Sequence, residues 1–405
     1  MLPEGMTSAL RPWAIAGRRW RAGRQRVNLG EGVEIRLLGG PAWETFFGYY
    51  DISPFEPAGS RLLAGRVARD RPGAMEVGYY SASGEGKFSP VAYTETWCWQ
   101  QGCRLRWVPA FGRGQVVFNT LGPGAYEASA FDLDAGQETT RFCRALYDIS
   151  ADGRWGLSIN FARLQRLRRG YGYTQLPDSH ARHSAPAEDG IWLVDLARND
   201  SRLLHSLAQV AETEPQQSMR GAVHYFNHLS WNPSGSRFLF FHIWEMPGER
   251  RRIRLLTSDK DGNLRVVTNQ RMVSHYCWID DIRMLLFAEL YGTNGYYQVP
   301  DRNGGEDEGD LIAGMPGRDG HPTWNEPLGR FLFDGLPDRY AERQLMTFRP
   351  GDNQPSLLAA FYSPPYLSGE RRCDLHPRWQ TEGKAIAVDT AHAGYRQMAV
   401  VSSIP

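Results

Sequence analysis

One phrase recurs along the chain and limits what it can become: an aromatic or apolar anchor, a Pro, Asp or Gly turn, a basic residue, then an apolar strand. It begins at Phe55 (to Arg61, then LLAG), Trp107 (to Arg113, then GQVVF) and Ile149 (to Arg154, then WGLSI). It returns at Trp231 (to Arg237, then FLFF), in degenerate form at Trp278 (to Arg283, then MLLFA), at Trp324 (to Arg330, then FLF) and at Trp379 (to Lys384, then AIAV). Most of these seven anchors are 42 to 55 residues apart, the length of a four-stranded propeller blade. Further strand-like segments lie between them at 76–82, 128–133, 191–196, 253–257 and 344–348. After Ala385–Asp389 only one strand, about Gln397–Ser402, remains, so the last blade is one strand short and Val33–Leu38 can supply it. The expected fold is all-β: one seven-bladed β-propeller over residues 31–405, closed by N- and C-terminal strands sharing a blade. Residues 1–30 are an extension expected to be poorly ordered in part. Helical periodicity is confined to short stretches such as Leu207–Thr213.

Composition narrows the function. Forty-six Lys+Arg against 45 Asp+Glu give a net charge of +1, without the basic excess that a nucleic-acid partner needs. No apolar run approaches the ~20 residues of a membrane span. The arginines at 18, 19, 21, 24 and 26 precede no apolar stretch of the kind a secretory leader has. With five scattered cysteines this points to a reducing cytoplasm. A G-x-S-x-G elbow and a P-loop are both absent, and Gly170-Tyr-Gly172 lacks the third glycine and strand context of a dinucleotide fingerprint.

Four anchors carry a histidine three residues upstream: His228, His275, His321 and His376. Equivalent positions in consecutive blades converge near the propeller axis, and Cys373 is three residues before His376. Imidazole and thiolate ligands meeting at one point suit a divalent transition metal, zinc ahead of manganese, on His275, His321, Cys373 and His376, with His228 or His392 as substitutes. Alternatively, each histidine bonds backbone and packs on its Trp. His224 and Tyr225 precede the fourth anchor and are candidate acid/base groups, or else a packed aromatic loop. Tyr147 precedes the third anchor and Arg163 opens a basic stretch (Arg163, Arg166, Arg168, Arg169), read with the following residues to Pro186 as a long loop on the ligand face. A channel-facing Arg presents a fork to a carboxylate. A solvated basic loop is the plainer reading and fits the later arginines better. Trp99, Gln100, Gln101 and Asn119 combine rings and amides as sugar sites do, although tryptophans between blades also serve as core.

The phrases YYDISPF (49–55), WCWQQGCRLRWVP (97–109), YDISADGRWGLSINFARLQRLRRGYGY (147–173), HYFNHLSWNPSGSRFLF (224–240), SHYCWID (274–280), GHPTWN (320–325) and RCDLHPRW (372–379) resemble the ulvan-lyase-type propeller polysaccharide lyases over about residues 47 to 402. Oligogalacturonate lyases, with an axial histidine-based metal site, are a more distant analogue. The resemblance implies β-elimination at a uronate: an Arg neutralises the C5 carboxylate, and Tyr or His groups take the C5 proton and protonate the leaving oxygen. Tyr147 and Arg163 match the family's tyrosine and arginine. Gln100, Gln101 and Asn119 stand where ulvan-cleaving members use histidines, a departure from ulvan itself. The expectation is a lyase for an acidic oligosaccharide or polysaccharide, with neither nucleic acid nor membrane as partner. The alternatives are a non-catalytic glycan- or protein-binding propeller and a metal-dependent sugar-modifying enzyme of another type.

Overall fold

Each repeat becomes one antiparallel blade in the computed structural model, which describes residues 27–57, 59–81, 87–269, 272–303 and 309–402. Seven sheets follow in chain order. Blade I is Trp43–Phe46, Arg61–Ala68, Met75–Ser81 and Ser89–Thr94. Blade II is Arg106–Trp107, Gln115–Leu121, Tyr126–Asp132 and Gln137–Phe142, and blade III Asp148–Ile149, Trp155–Ser158, Gly190–Asp195 and Asp200–Ser206. Blade IV holds the long pair Val223–Trp231 and Arg237–Glu245 with Arg252–Asp259 and Arg265–Thr268. Blade V is Val273–Trp278, Arg283–Leu290, Thr293–Pro300 and Asp310–Leu311. Blade VI is Thr323–Asn325, Arg330–Asp334, Glu342–Phe348 and Ser356–Tyr362, and blade VII Arg378–Trp379, Ala385–Thr390 and Gln397–Ser402.

The chain start closes the ring. Glu34–Leu38 pairs with Gln397–Ser402 as the outer strand of blade VII, in the register Leu38 to Met398 and Ile35 to Val401. Val27–Leu29 continues onto Ser356–Tyr362 and gives blade VI a fifth strand. That strand falls in the stretch read as an extension, and residues 1–26 lie outside the described residues, as does Ala82 of the strand expected at 76–82. One segment thus covers the outer edges of two neighbouring blades.

The recurring phrase is inter-blade glue. The Trp107 indole donates to Pro54 O of the previous blade at 2.8 Å, and Trp278 to Ser230 O at 3.1 Å. The basic residue reaches the next blade: Arg61 bonds Asp134 at 2.7 Å and Arg237 bonds Asp301 at 2.8 Å. Apolar residues after it, such as Leu62, Leu239, Leu285, Leu332 and Ile386, are fully buried between sheets, each adding roughly 1.5–3 kcal/mol.

A second periodic device was not anticipated. The second strand carries an acid or amide in its C-terminal half in three blades: VVF-Asn119, FLF-Asp334 and IAV-Asp389. Each side chain ties the next blade's inner segment. Asn119 accepts from Leu146 N and donates to Leu146 O; Asp334 accepts from Leu375 N and His376 N; Asp389 accepts from Phe47 N and Gly48 N. Asn119, expected to bind sugar, is therefore a blade clamp, and Tyr173 Oη takes its remaining amide donor.

The 149–231 interval is not a bare loop. Asn160 caps a short helix, α1 (Phe161–Leu167), by accepting from Arg163 N, and a second helix, α2 (Leu207–Glu212), falls where helical periodicity was expected. No described helix is long and apolar enough to cross a membrane.

Candidate active site at the propeller axis

Four histidines meet at the axis because the inner strands break register there. Blade IV bulges between Asn227 and Ser230, and blade V between Val273 and Tyr276. His228 and His376 adopt positive φ (58° and 43°), a conformation uncommon for a side-chain-bearing residue. The His275 and His321 ring centroids are 4.1 Å apart, those of His321 and His376 4.4 Å, and those of His228 and His275 6.5 Å.

Carboxylates of the surrounding layer fix these rings. Asp334 Oδ1 accepts both His321 N (2.9 Å) and His321 Nδ1 (2.8 Å), and Asp319 accepts His275 Nδ1 at 2.8 Å. An Nδ1–H held on a carboxylate leaves Nε2 as the ring nitrogen that faces a ligand. His321 Nε2 and His376 Nε2 are buried and find no hydrogen-bond partner among the described residues. Asp374, paired with Arg343 (2.5 Å) and Arg372 (2.6 Å), offers a carboxylate beside them. Ligand atoms of His321, Asp374 and His376 lie within 4.8 Å of one another. Two orphaned imidazole nitrogens and a carboxylate fit a divalent cation, and without a thiolate they do not select zinc over manganese.

This corrects one expected ligand. Cys373 directs its Sγ toward Asp374 O at 3.9 Å, and burial pushes its thiol up to about 12. The next residue, Asp374, takes its place. His275 lies against the group through His321, whereas His392 is held away by Thr390, whose hydroxyl is 2.9 Å from its Nδ1.

The basic stretch divides between two jobs. Arg163 is buried and spends all five donors: Nε on His224 O, one terminal nitrogen on Asp178 and His180 O, the other on His183 O and Ser184 O. It clamps the 178–184 loop and has no donor left for a ligand carboxylate. Tyr147 is equally occupied. Its hydroxyl donates to Asn227 Oδ1 and accepts from Gln101 Nε2 and His228 N, which fixes the bulge carrying His228. Burial is the main cause that holds the Tyr147 phenol well above the usual tyrosine value, only partly offset by Arg104. The expected pairing of Tyr147 with Arg163 is thus two structural residues serving different loops.

Their chemistry is available a few residues on. Arg168, where α1 ends, is half-buried, and its Nε has no partner among the described residues. Its guanidinium lies 4.2 Å over the Tyr171 ring. Tyr171 sits between two glycines that admit no side chain: a Cβ on Gly172 would come within 2.0 Å of Phe161 O, and Gly170 combines φ +90° with Glu370 atoms at 2.9 Å. Arg372 Nη2 reaches Tyr171 Oη at 3.3 Å. Burial alone would raise the Tyr171 phenol, but Arg168 and then Arg372 outweigh it and hold it below the usual tyrosine range. Tyr49 bridges to the histidines, with ring centroids 6.0 Å from Tyr171, 5.2 Å from His228 and 4.7 Å from His376. Arg378, which pairs with Asp389 at 2.9 Å and bonds Tyr49 O, sets its backbone. The Tyr49 hydroxyl is buried and unpartnered among the described residues, and burial raises its phenol. Tyr225 also has an unpartnered buried hydroxyl, with burial raising its phenol and Arg168 partly lowering it.

The remaining expected residues act at one remove. Gln100 donates to Glu370 O and Arg372 O and so positions the Arg372 loop. Gln101 supports Tyr147 and Asn227. The Trp99 ring is covered by Phe46, Arg371 and Arg396. His224 belongs to a buried chain: Arg254 Nε donates to His242 Nδ1, so His242 Nε2 donates to His224 Nδ1 (2.8 Å), and the remaining proton faces Met219 O. That chain is built on neutral rings. Burial lowers His224 to about 4 and His242 well below the usual value, and also lowers His205, elsewhere in the core, to about 4. The unfolded chain, with histidines near ~6.5, binds these protons first. Stability should hold above that value and fall as pH drops from ~6.5 towards ~4, by up to ~3 kcal/mol per histidine. Denaturant midpoints at pH 7.5 and 5 check this; equal midpoints would contradict it.

No family model and no curated protein matches the chain. Among solved structures the fold is similar to an oligogalacturonate lyase in complex with manganese, with TM-score 0.67 at 16% identity over 94% of this chain and 96% of that one. It is similar also to the oligogalacturonate lyase of Vibrio parahaemolyticus, with TM-score 0.60 at 11% identity over 94% and 98%. At such identities the likeness establishes the architecture alone: this chain is a seven-bladed β-propeller.

Proposed function

We propose that the chain is a lyase that cleaves a uronate-containing oligosaccharide by β-elimination at the axial site. One observation carries this: Tyr49 Oη, Tyr225 Oη, His228 Nδ1, His321 Nε2, His376 Nε2 and Arg168 Nε are all buried and unpartnered among the described residues, and they reach one axial region from blade I, blade IV (Tyr225 and His228), blade VI, blade VII and the end of α1. Buried polar atoms without partners are costly, so their convergence marks a place completed by a ligand. The similar folds are those of lyases that act on oligogalacturonates, which supports an acidic sugar as that ligand.

The chemistry follows from the charges. A C5 proton is weakly acidic until its carboxylate is neutralised, and the Arg168 guanidinium supplies that charge without a proton of its own. Tyr171, held below the usual tyrosine range, takes the C5 proton. The C5–H electrons form the C4=C5 double bond as the C4–O bond breaks. Tyr49, whose raised phenol keeps its proton, gives it to the departing oxygen. His321, His376 and Asp374, with His275 beside them, would hold the divalent cation, which supplies further positive charge against the carboxylate.

The test is ultraviolet absorbance of the unsaturated uronate, after incubation of the metal-supplemented protein with acidic oligosaccharides of differing uronate and linkage. The expected result is a rise with at least one of them; no rise with any would remove the lyase reading in favour of a binding propeller.

A further inference from the structure

Beside the axial site opens a cleft of about 420 Å³ with the opposite electrostatic character, within the ~300–1,000 Å³ usual for small-ligand sites. Pro72, Gly73 and Ala74 form one wall, and Trp97 and Trp99 another. Gly170 and Gly172, the residues on either side of Tyr171, both line it, so axis and cleft are separated by the thickness of one loop. The Trp97 indole is pinned by its bond to Gly73 O at 2.8 Å and stands at 86° to Trp99. Among the described residues of the lining, both charged ones, Glu95 and Glu370, are exposed carboxylates, and none is Lys, Arg or His. The nearby guanidinium groups lie over Trp99 and outside the described lining: Arg396 bonds Arg371 O and Arg372 O, and Arg371 leans toward Glu44 at 4.0 Å.

We propose that this cleft binds an uncharged sugar unit of the same glycan whose uronate is held at the axis, so that the substrate is a mixed glycan and not a run of uronates. The inference rests on the axial uronate reading and adds the neighbouring subsite. A neutral sugar presents C–H bonds to the Trp97 ring and hydroxyl donors to Glu95 and Glu370. A second uronate there would bring its charge beside two exposed carboxylates, with the Arg371 and Arg396 guanidinium groups stacked on Trp99 and none in the described lining.

Saturation-transfer NMR on the full chain tests this with two probes, a neutral methyl hexoside and the matching methyl hexuronide. Three variants accompany the wild type: Trp97→Ala, Ala74→Trp, which fills the cleft from an exposed rim position, and Glu370→Lys. The wild type should give signals with both probes. Trp97→Ala and Ala74→Trp should each reduce the hexoside signal at least ~5-fold and leave the hexuronide signal unchanged, while Glu370→Lys should add a second hexuronide site. A hexoside signal that is absent, or that survives Ala74→Trp, overturns the cleft assignment. A hexuronide signal lost in Ala74→Trp also overturns it, since the acidic unit would then occupy the cleft. If the hexuronide gives no signal in any form while the hexoside behaves as expected, the axial reading fails and the mixed-glycan proposal with it.

Discussion

Arg168→Ala should lower kcat/KM on a cleavable acidic oligosaccharide by roughly 10³-fold or more at a much smaller cost in stability than Arg163→Ala. The size follows from removing a preorganised cation from a water-poor site, where even one donor is worth ~10²–10³. The stability cost is the lost stacking on Tyr171 at 4.2 Å, of the order of the ~0.5–2 kcal/mol of a cation–π contact, since Nε has no partner to lose among the described residues. Arg163→Ala should do the reverse. It strips five hydrogen bonds from a buried guanidinium and leaves Asp178 with Arg166 at 2.9 Å as its ion-pair partner among the described residues. A loss of ~3–5 kcal/mol is expected for a buried pair broken from one side. Arg168→Lys, which keeps a charge without the fork, should recover part of the turnover. If a folded Arg163→Ala protein loses turnover as severely as expected for Arg168→Ala, and Arg168→Ala does not, the roles assigned to the two arginines are exchanged.

The second large effect concerns the metal. Purified chain dialysed against Mn²⁺ or Zn²⁺ should retain about one ion per molecule, and the ion should stabilise the fold by ~3 kcal/mol at a hundredfold excess over Kd. His321→Ala and His376→Ala should each abolish retention, because each removes an imidazole whose Nε2 is otherwise orphaned in the interior. Cys373→Ser should retain the ion, since its sulfur faces the Asp374 carbonyl. Asp334→Asn should weaken retention without removing a ligand, because it disturbs the acceptor that holds the His321 ring and the His376 backbone. Atomic-emission stoichiometry and melting curves read all four variants. Retention in both histidine variants with loss in Cys373→Ser would restore the thiol as ligand.

The fold was legible because its energetics are periodic. The anchors, the basic residue after each turn and the apolar strand repeat since every blade solves the same packing problem, and the strand missing from the last repeat pointed to Val33–Leu38, of which Glu34–Leu38 is the closing strand. The histidine convergence was legible for the same reason, as His228, His275, His321 and His376 hold equivalent places before their anchors. What periodicity does not encode is direction. Cys373 and Asp374 are adjacent, and the tertiary contacts distinguish them: Arg343 and Arg372 hold the Asp374 carboxylate beside the imidazoles, while the Cys373 sulfur faces the Asp374 carbonyl. Likewise Arg163 and Arg168 lie five residues apart on one helical stretch, and the helix itself turns the first into the 178–184 loop and releases the second at its end toward Tyr171. The signal for Arg168 was present in the Gly170-Tyr171-Gly172 phrase, where two glycines flanking an aromatic mark a chain packed too tightly for side chains. Asn119 carried a readable signal too, at the same point of its repeat as Asp334 and Asp389.

The central claim, elimination at a uronate, is tested most directly by the mass balance of cleavage. Oligosaccharide digested by the metal-supplemented protein in ¹⁸O-labelled water should give fragment pairs whose masses sum to that of the intact parent, one fragment carrying the double bond, with no ¹⁸O incorporated. Fragment pairs heavier than the parent by one labelled water would mean hydrolysis and would contradict the account.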